Sequence, residues 1–403
     1  MVTTNFRDLK TCVACGQSNL VTTLDLGSQP LANDFLEPGR QLDFYPLKLM
    51  RCTTCYHSQL SIAVDPARLF RDYSYVSGTS ETLDNYFENL SRTLISRFGQ
   101  NRKILDIGSN DGSFLQKFVR TDWLALGVDP AVNLVSESAA KNVTTVPAFF
   151  DERISSLLAN DFDVITAMNV FAHTSNPLEI LNGINRCLSN SGRAFIQTSQ
   201  ANMFNSGQFD TVYHEHISFF SVKSMKALLE RAELSLVDVS IVPIHGLSYL
   251  WEIKKGGTHA SGLSREKEED DFGLYGSKLY EDFSALALAK CVEVKGVVSE
   301  YRERNFKIVS YGAAAKGNTF INFADISFDY ILDDTPQKIG RRAPAGNCIV
   351  SNPEILRNIP GPVLVLIPAW NFRQEIVAKI RTMRNNQDDY YLTYFPTTTL
   401  ESL

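Results

Sequence analysis

The chain has 403 residues, of which 44% are hydrophobic and 21% are charged, and its net charge is −6. This composition is typical of a globular protein with roughly two to four domains. The negative net charge and the lack of a long Lys/Arg run argue against nucleic-acid binding. No apolar stretch approaches the roughly 20 residues that span a bilayer, and residues 1–10 lack an apolar signal core. We therefore expect a cytoplasmic protein that does not bind membranes.

Two cysteine pairs lie near the start of the chain, Cys12 with Cys15 and Cys52 with Cys55. The C-x₂-C spacing lets two thiolates reach one tetrahedral metal, and two pairs complete a Cys₄ shell. Such a shell leaves no position for a substrate, so the pattern predicts a structural zinc ion. His57 is an alternative ligand in place of one thiolate. A disulfide interpretation is weaker because no signal peptide precedes the pairs.

The middle of the chain alternates predicted strands with predicted helices. Buried strands are predicted over 103–108, 124–129, 162–170 and 193–198, and a helix over 177–188. This alternation is typical of a parallel sheet that is covered by helices on both faces.

A charged helical stretch follows over 264–304, where Ser264 is expected to cap the first helix. Its recurring apolar residues predict an amphipathic helix; they are Leu279, Phe283, Leu286, Leu288, Val292 and Val297. A second α/β unit begins near 306, with predicted strands over 306–311, 330–333 and 363–367.

A glycine loop of the form D-x-G-x-x-x-G follows the first strand of the middle region. Gly108 and Gly112 allow the backbone to approach a ligand closely. The dinucleotide fingerprint G-x-G-x-x-G is missing, and the carboxylates of Asp106 and Asp111 would repel a pyrophosphate. They suit a cationic ligand such as S-adenosylmethionine (SAM), which carries a sulfonium and an ammonium. Asp129, about 20 residues further on, is suited to bind the ribose hydroxyls of either SAM or NAD.

Further candidates follow the later strands, at the edge where open α/β sheets bind ligands. Phe150 is placed to flank an adenine ring, with core packing as the alternative. Asn169 and His173 follow the fourth strand, and Asn169 is assigned to the cofactor. A structural role remains open for His173. Candidates for binding a substrate, or alternatively for packing, are Tyr73, Tyr75 and His245.

The segment Tyr213-His214-Glu215-His216 lies beyond the strand at 193–198 and indicates acid–base chemistry. Histidine carries protons near pH 7, and a neighbouring carboxylate orients it. In extended backbone Glu215 and His216 would face opposite sides, so a turn is expected if they share a cleft. A surface loop with satisfied histidines is the alternative. A second metal site is disfavoured because the H-E-x-x-H spacing is absent.

The second α/β unit also has a small-residue loop after its first strand, over 312–319. Its backbone amides and Lys316 are suited to cradle a diphosphate, and Asn318 is assigned to the same substrate. A tight strand–helix turn with a solvated lysine is the alternative.

Four segments together resemble one family. They are the double C-x₂-C, L-D-I-G-S-N-D-G-S-F-L, Y-H-E-H-I-S-F-F-S and Y-G-A-A-A-K-G-N-T. The set resembles the nucleotide-sugar C-methyltransferases of deoxysugar pathways, typified by the sugar C-3′-methyltransferases. The resemblance implies an α/β protein with a zinc-binding domain (1–70), a Rossmann-like SAM-dependent methyltransferase domain (71–260), a helical linker (261–305) and a Rossmann-like nucleotide-sugar-binding domain (306–403).

The resemblance also assigns roles to residues. It places zinc on the four cysteines, the ribose on Asp129, and the sugar beside Tyr73 and Tyr75. It assigns the SAM loop to Asp106, Gly108, Asn110 and Gly112. The catalytic residues are Tyr213, Glu215, His216 and His173. The family often has H-G-G-S where this chain has His245-Gly246-Leu247-Ser248, so the resemblance does not define the sugar.

The implied reaction is methylation of a TDP-linked 4-keto-6-deoxysugar at C3. His216 would take the C3 proton, directly or through a water molecule, and Glu215 would orient the His216 ring. Tyr213 or His173 would donate a hydrogen bond to the enolate oxygen. Three alternatives remain open at this point: an O-methyltransferase, a nicotinamide-dependent oxidoreductase, and a non-catalytic module that binds sugar nucleotides. A monomer is expected, although the sequence does not determine the oligomeric state.

Overall fold

The computed structural model describes residues 5–70, 77–79, 81–199, 202–244, 246–384 and 386–403. Its strands are β1 (Phe6–Asp8), β2 (Leu20–Pro30), β3 (Phe44–Cys52), β4 (Ser58–Leu60), β5 (Ile62–Val64), β6 (Lys103–Ile107), β7 (Leu124–Val128), β8 (Thr144–Val146), β9 (Phe162–Met168), β10 (Leu188–Ser199), β11 (Ser218–Phe219), β12 (Leu234–Val242), β13 (Ser248–Lys255), β14 (Lys307–Tyr311), β15 (Tyr330–Leu332), β16 (Val350–Ser351), β17 (Val363–Leu366), β18 (Tyr390–Thr393) and β19 (Thr399–Ser402).

The helices are α1 (Pro66–Phe70), α2 (Glu81–Phe98), α3 (Gln116–Val119), α4 (Val135–Ala140), α5 (Glu152–Leu157), α6 (Pro177–Cys187), α7 (Met203–Ser206), α8 (Val222–Arg231), α9 (Ser264–Asp271), α10 (Lys278–Glu303), α11 (Ala315–Phe323) and α12 (Arg373–Met383).

The chain forms two compact units, each built from discontinuous segments. Unit 1 comprises 1–21, 50–201 and 215–275, and unit 2 comprises 22–49, 202–214 and 276–403. The domain boundaries that were predicted from the sequence stay predictions.

Unit 1 is organised by a seven-stranded sheet in the order β12-β13-β10-β9-β6-β7-β8. The strands from β6 to β10 run parallel, and β13 pairs antiparallel with both β10 and β12. The carboxyl ends of β6, β7 and β9 therefore meet at one edge, which is where the predicted ligand-binding residues lie.

The two faces of this sheet are covered by different helices, because alternate strand residues point to opposite sides. Leu105 belongs to the apolar cluster that includes α6 and α8 residues, whereas the preceding Ile104 belongs to the cluster that includes α2 and α3 residues. The prediction of a mainly parallel sheet with helices on both faces is thus confirmed.

The cysteine segment of unit 1 forms short paired strands. β1 pairs antiparallel with β5, and β4 pairs antiparallel with β11. The buried Cys12, Cys52 and Cys55 belong to the same apolar cluster as α6 and α8. Packing thereby joins the cysteine pairs to one face of the large sheet.

Unit 2 contains a six-stranded sheet in the order β16-β15-β14-β17-β18-β19, which is parallel except for its last strand. One of its apolar clusters packs Val309 and Val365 from the sheet against Val377 and Ile380 of α12. The predicted second α/β unit is therefore present.

Two local expectations were wrong. Ser264 is the first residue of α9 rather than its cap, and no side chain caps that helix. The stretch over 264–304 is divided into α9 and α10, with Gly273 in a left-handed conformation between them.

The buried face of α10 also differs from the expectation. Leu286, Leu288 and Val292 are exposed. The buried residues recur at spacings of three and four; they are Tyr280, Phe283, Ala287, Cys291, Val294, Val298 and Tyr301. Their regular spacing outweighs the hydrophobicity of single residues in choosing the face.

Within the described part of the chain, no helix combines the length and the apolarity that crossing a membrane requires.

Candidate active site and metal centre

The four cysteines of the two pairs come together in unit 1. The Sγ atoms of Cys12 and Cys55 lie 3.6 Å apart, as do those of Cys15 and Cys52. All four sulfur atoms lie within 4.8 Å of one another. Sulfurs that are each about 2.3 Å from a tetrahedral ion lie about 3.8 Å apart, so the cluster fits zinc.

The acidities of these thiols show why the cluster favours a cation. A hydrogen bond from Cys55 lowers the pKa of Cys12 to about 4, against the effect of burial. Burial raises the pKa of Cys15 to about 11, and the neighbouring Cys12 raises the pKa of Cys55. One thiolate therefore opposes ionisation of the next, and a divalent cation relieves this repulsion.

His57 is not part of the sulfur cluster. It is fully buried, and its ring packs against Phe220 with the centroids 4.7 Å apart. Burial lowers its pKa to about 4. The structure thus favours a shell of four cysteines over the alternative with a histidine.

The glycine loop follows β6 at the carboxyl edge of the large sheet. Gly108 has a φ of 75°, a conformation that side chains rarely adopt, and its N–H donates to the Val128 carbonyl over 2.8 Å. A Cβ at Gly108 would lie 2.9 Å from the Val170 side chain, and one at Gly112 would lie 3.0 Å from Ser138. The glycines thus make room for protein side chains. Their expected role in letting the backbone approach a cofactor stays a prediction.

Asp111 does not offer a free charge to a ligand. Its carboxylate, 1% exposed, pairs with Lys141 and accepts a hydrogen bond from the Ser113 hydroxyl over 2.7 Å. It also accepts one from the backbone N–H of Gly78. The sequence argument that used Asp111 to favour a cationic ligand was therefore wrong, because it did not identify Lys141 as the partner.

Asp106 is the carboxylate that remains without a cationic partner among the described residues. It is 3% exposed and accepts a hydrogen bond from Thr166 on the neighbouring β9 over 2.6 Å. Burial raises its pKa to about 7, and the charge of Asp129 acts in the same direction. Such a group gains from a cation placed beside it.

Asp129 and Asn110 connect the glycine loop to the end of β7. Asp129 accepts hydrogen bonds from the backbone N–H groups of Asn110 and Ala131, each over 2.8 Å, and burial raises its pKa. The Asn110 side chain accepts a hydrogen bond from the N–H of Ser77. These bonds fix the loop against the end of β7, where a ribose was expected to bind.

Two further cofactor candidates occupy different surroundings. Asn169 directly follows β9 with a φ of 58°, and its buried Oδ1 accepts no hydrogen bond from the described residues. Phe150 is buried in the core, where a Cβ on Gly183 of α6 would lie 2.6 Å from its ring. Asn169 therefore has an unused acceptor at the sheet edge, whereas core packing accounts for Phe150 and its contact with a cofactor stays a prediction.

Two histidines predicted from distant parts of the sequence stack on each other. His173 ends a 3₁₀ turn after β9, and His216 lies in the loop before β11. Their ring centroids are 5.2 Å apart and their planes differ by 25°. The Phe70 ring also stacks on that of His173, with the ring centroids 5.7 Å apart. The half-buried His173 and the buried His216 thus form an imidazole pair beside the turn that contains Val170.

The backbone forms a turn at His214 and Glu215. Such a turn was expected if Glu215 and His216 face the same cleft. Glu215 is 5% exposed and His216 is 6% exposed, and both belong to unit 1. Tyr213 and His214 belong to unit 2, where His214 packs edge-on against Tyr45. Burial lowers the pKa of His214 to about 4, so this histidine is a neutral packing residue.

The loop expected to hold a diphosphate lies in unit 2. Gly312 has a φ of 111°, and the N–H of Ala313 already donates to Asp333 over 2.8 Å. Lys316 is the second residue of α11, and its charge opposes the rise that burial causes in the pKa of Asp210. Asn318 is 1% exposed and donates to the Ala32 carbonyl over 2.8 Å. The binding roles of Lys316 and Asn318 stay predictions.

Tyr73, Tyr75 and His245 lie outside the described residues. Leu247, where the family resemblance breaks, is 39% exposed. The sequence analysis missed Thr166, Lys141 and Gln59, which support the site through hydrogen bonds or charge. No local motif marks them, because their partners are distant in sequence.

Three family models match consecutive parts of the chain. They are described as "Putative zinc binding domain" (residues 12–70), "Methyltransferase domain" (81–239) and "C-methyltransferase C-terminal domain" (246–396). The C-methyltransferase NovU of Streptomyces niveus is 26% identical over 392 residues, which cover 92% of each protein. These matches identify a methyltransferase that is similar to C-methyltransferases. It is an enzyme with an N-terminal zinc-binding domain, so the oxidoreductase and the non-catalytic module are no longer alternatives.

Solved structures also resemble the chain, over less than half of its length. The magnesium protoporphyrin IX methyltransferase of Synechocystis, solved with bound SAM, is 11% identical with a TM-score of 0.34 and covers 43% of this chain and 79% of its own. The 1,6-didemethyltoxoflavin-N1-methyltransferase of Burkholderia thailandensis is 20% identical with a TM-score of 0.34, over 43% and 80% of the two chains. At these TM-scores the likeness carries no inference about this chain.

Proposed function

We propose that this enzyme transfers a methyl group from SAM to C3 of a nucleotide-linked 4-keto-6-deoxysugar, with TDP as the nucleotide. The family match and the similarity to a C-methyltransferase support a carbon acceptor. The observation that carries the proposal is the stacked pair of His173 and His216, in which His173 ends the turn that follows Val170, the residue beside Gly108 of the glycine loop.

Carbon becomes a nucleophile when a neighbouring ketone allows deprotonation. His216 takes the proton from C3, and the electrons of that C–H bond move into the C4 carbonyl to give an enolate. Glu215, which precedes His216 in the same turn, orients the ring and stabilises its charged form. Both side chains are buried, so little water competes for the proton.

His173 serves as the second imidazole in this proposal. Its ring lies parallel to that of His216 and is more exposed, so it can donate a hydrogen bond to the enolate oxygen. A preorganised donor of this kind contributes about 2–4 kcal/mol to the stability of the transition state. The corresponding role of Tyr213 stays a prediction.

The residues at the carboxyl edge fit SAM. Asp106 has a pKa raised by burial to about 7, and a cationic ammonium beside it would offset the cost of its charge. The orphaned Oδ1 of Asn169 offers an acceptor, and the carboxylate of Asp129 suits ribose hydroxyls. When bound, SAM supplies an electrophilic methyl group to the carbanion.

We also propose that the enzyme is cytoplasmic and does not bind nucleic acid. The net charge of −6 disfavours nucleic acid, and the cysteines are free thiols, as in a cytoplasmic protein that binds zinc. A monomer is expected.

The test uses TDP-linked 4-ketosugars in deuterated water. Without SAM, the enzyme should exchange the C3 proton for deuterium, and with SAM it should add one methyl group, both measured by mass spectrometry. An O-methyltransferase would methylate without exchanging this proton. His216→Asn should lower both rates by about 10²–10⁴-fold, as expected for loss of a general base.

The matched control is His259→Asn, because His259 is half-buried in the same unit but lies against Glu230. This variant should keep wild-type exchange and transfer. Unchanged exchange in a folded His216→Asn protein would show that His216 is not the base.

A further inference from the structure

Gln59 lies between the cysteine cluster and the loop that contains His216. Its side chain is fully buried, and both the oxygen and the nitrogen of its amide form hydrogen bonds. Oε1 accepts a hydrogen bond from the N–H of Val13 over 2.8 Å, and Nε2 donates to the Thr11 carbonyl over 3.2 Å. Gln59 thereby holds the backbone on both sides of Cys12, the first cysteine of the first pair.

The backbone around Gln59 pairs with the segment that follows His216. Gln59 is paired with Ser218 where β4 meets β11, and the N–H of Leu60 donates to the Ile217 carbonyl over 2.9 Å. Ile217 directly follows His216. One short strand therefore connects the first cysteine pair, through the Gln59 side chain, to the residue next to the proposed base.

The second cysteine pair is connected to the stacked histidines by a hydrogen bond and by packed aromatic rings. The N–H of Cys52 donates to the His57 carbonyl over 2.8 Å, and the His57 ring lies 4.7 Å from that of Phe220. Phe220 in turn packs 5.2 Å from Phe171, which begins the turn that ends at His173. Both imidazoles of the stacked pair are thus supported from the cysteine cluster.

We propose that Gln59 is a positioning residue that couples the zinc cluster to the loop carrying His216. The inference rests on the proposed function only where it names His216 as the base; the coupling itself concerns the two structural elements. Loss of the Gln59 side chain should loosen the metal and the loop together, since each holds the other through β4 and β11.

The main test is Gln59→Leu, which keeps a similar volume and removes both side-chain hydrogen bonds. Zinc affinity is measured by competition with a chromophoric chelator, and amide exchange of residues 217–219 by mass spectrometry. We expect about a 10-fold loss of zinc affinity, which is typical for an outer-shell partner, and faster exchange of these amides. We also expect kcat to fall about 10-fold, while KM for SAM changes less than about twofold, because the partners described for Gln59 are Val13, Thr11 and Ser218 and not residues of the glycine loop.

Gln59→Glu supplies the same measurements if Gln59→Leu does not fold. It retains an acceptor for the Val13 N–H and loses the donor to the Thr11 carbonyl, so its effects should be intermediate. Gln29→Leu is the matched control, because Gln29 is also buried but donates to the Leu26 carbonyl in unit 2. It should leave zinc affinity and exchange at 217–219 unchanged.

Wild-type zinc affinity in Gln59→Leu would overturn the proposal, as would weakened zinc binding with unchanged exchange at 217–219. Both measurements are made without substrate. If the wild-type enzyme failed to methylate any ketosugar, the proposed function would fall while the coupling would still be decided by these two measurements.

Discussion

Asp106 illustrates how one residue is set by its surroundings rather than by its motif. Its place before a glycine loop is visible in the sequence, but the pKa of about 7 results from burial, and Thr166 limits the rise. The unfolded value is near 3.8. Because the folded pKa is the higher one, folding favours the protonated acid. The contribution to stability is complete below about pH 4 and is lost as the pH rises through about 7.

Asp106→Asn should remove the loss of stability that Asp106 causes as the pH rises. Over about pH 5 to 7 the free energy of unfolding of the wild type should fall relative to the variant, by at most about 1.4 kcal/mol per pH unit. Urea unfolding without SAM measures the difference. Thr166→Val keeps the acid and removes its donor, so the loss should extend to higher pH. Parallel curves for wild type and Asp106→Asn would contradict the assignment.

Helix α8 shows how one element joins several parts of unit 1. At its start the buried Glu269 accepts hydrogen bonds from the Val222 N–H over 2.8 Å, from the Tyr249 hydroxyl over 2.9 Å and from the Tyr275 hydroxyl. At its end Arg231 donates to the Ala14 carbonyl over 2.6 Å, inside the first cysteine pair. The helix is therefore fixed at one end by a buried acid and at the other by the metal-binding segment.

Glu269→Leu should destabilise the protein by roughly 3 kcal/mol, because it leaves one backbone N–H, the hydroxyl of the buried Tyr249 and that of the half-buried Tyr275 without their acceptor. Chemical denaturation measures this change. The control is Glu268→Gln, because Glu268 precedes Glu269 on α9. The side chain of Glu268 is exposed, and the ion pair described for it is with Arg265. That variant should change stability by less than about 0.5 kcal/mol. Equal effects of the two substitutions would refute the capping role of Glu269.

At the scale of the whole molecule, metal binding is coupled to the folding of unit 1. The cysteines share an apolar cluster with Met225 and Leu228 of α8 and with strands of the large sheet. Binding energy at such a site becomes folding energy, because the ligands are separated in the unfolded chain.

A chelator that removes zinc should therefore lower the unfolding temperature of unit 1, and added zinc should restore it. Scanning calorimetry and metal analysis measure both. Unit 2 supplies the control: Arg384 and Asp389 form a buried ion pair there, 2.7 Å apart. Arg384→Leu should destabilise unit 2 by about 3–5 kcal/mol and leave the zinc-sensitive unfolding unchanged. Unfolding that is insensitive to zinc removal would contradict the structural role of the metal.

Features that depend on neighbours in the sequence could be predicted well. The C-x₂-C pairs indicated the metal site, the strand–helix alternation indicated the parallel sheet, and the D-x-G-x-x-x-G loop was placed at its correct edge. Predictions from single apolar residues were weaker. Leu288 and Val292 are exposed on α10, because the regular spacing of its other residues selects the buried face.

The sequence by itself determined the fold class, the family resemblance and the four cysteines that cluster, because regular hydrophobic spacing and paired ligands are local properties of a chain. Only the tertiary structure decided which charges are free and which groups meet. Lys141 neutralises Asp111 from 30 residues away, and His173 stacks on His216. Gln59 joins the segment of the first cysteine pair to the loop that contains His216, through partners on either side of it. Such contacts depend on how the elements pack, and short-range patterns do not encode them.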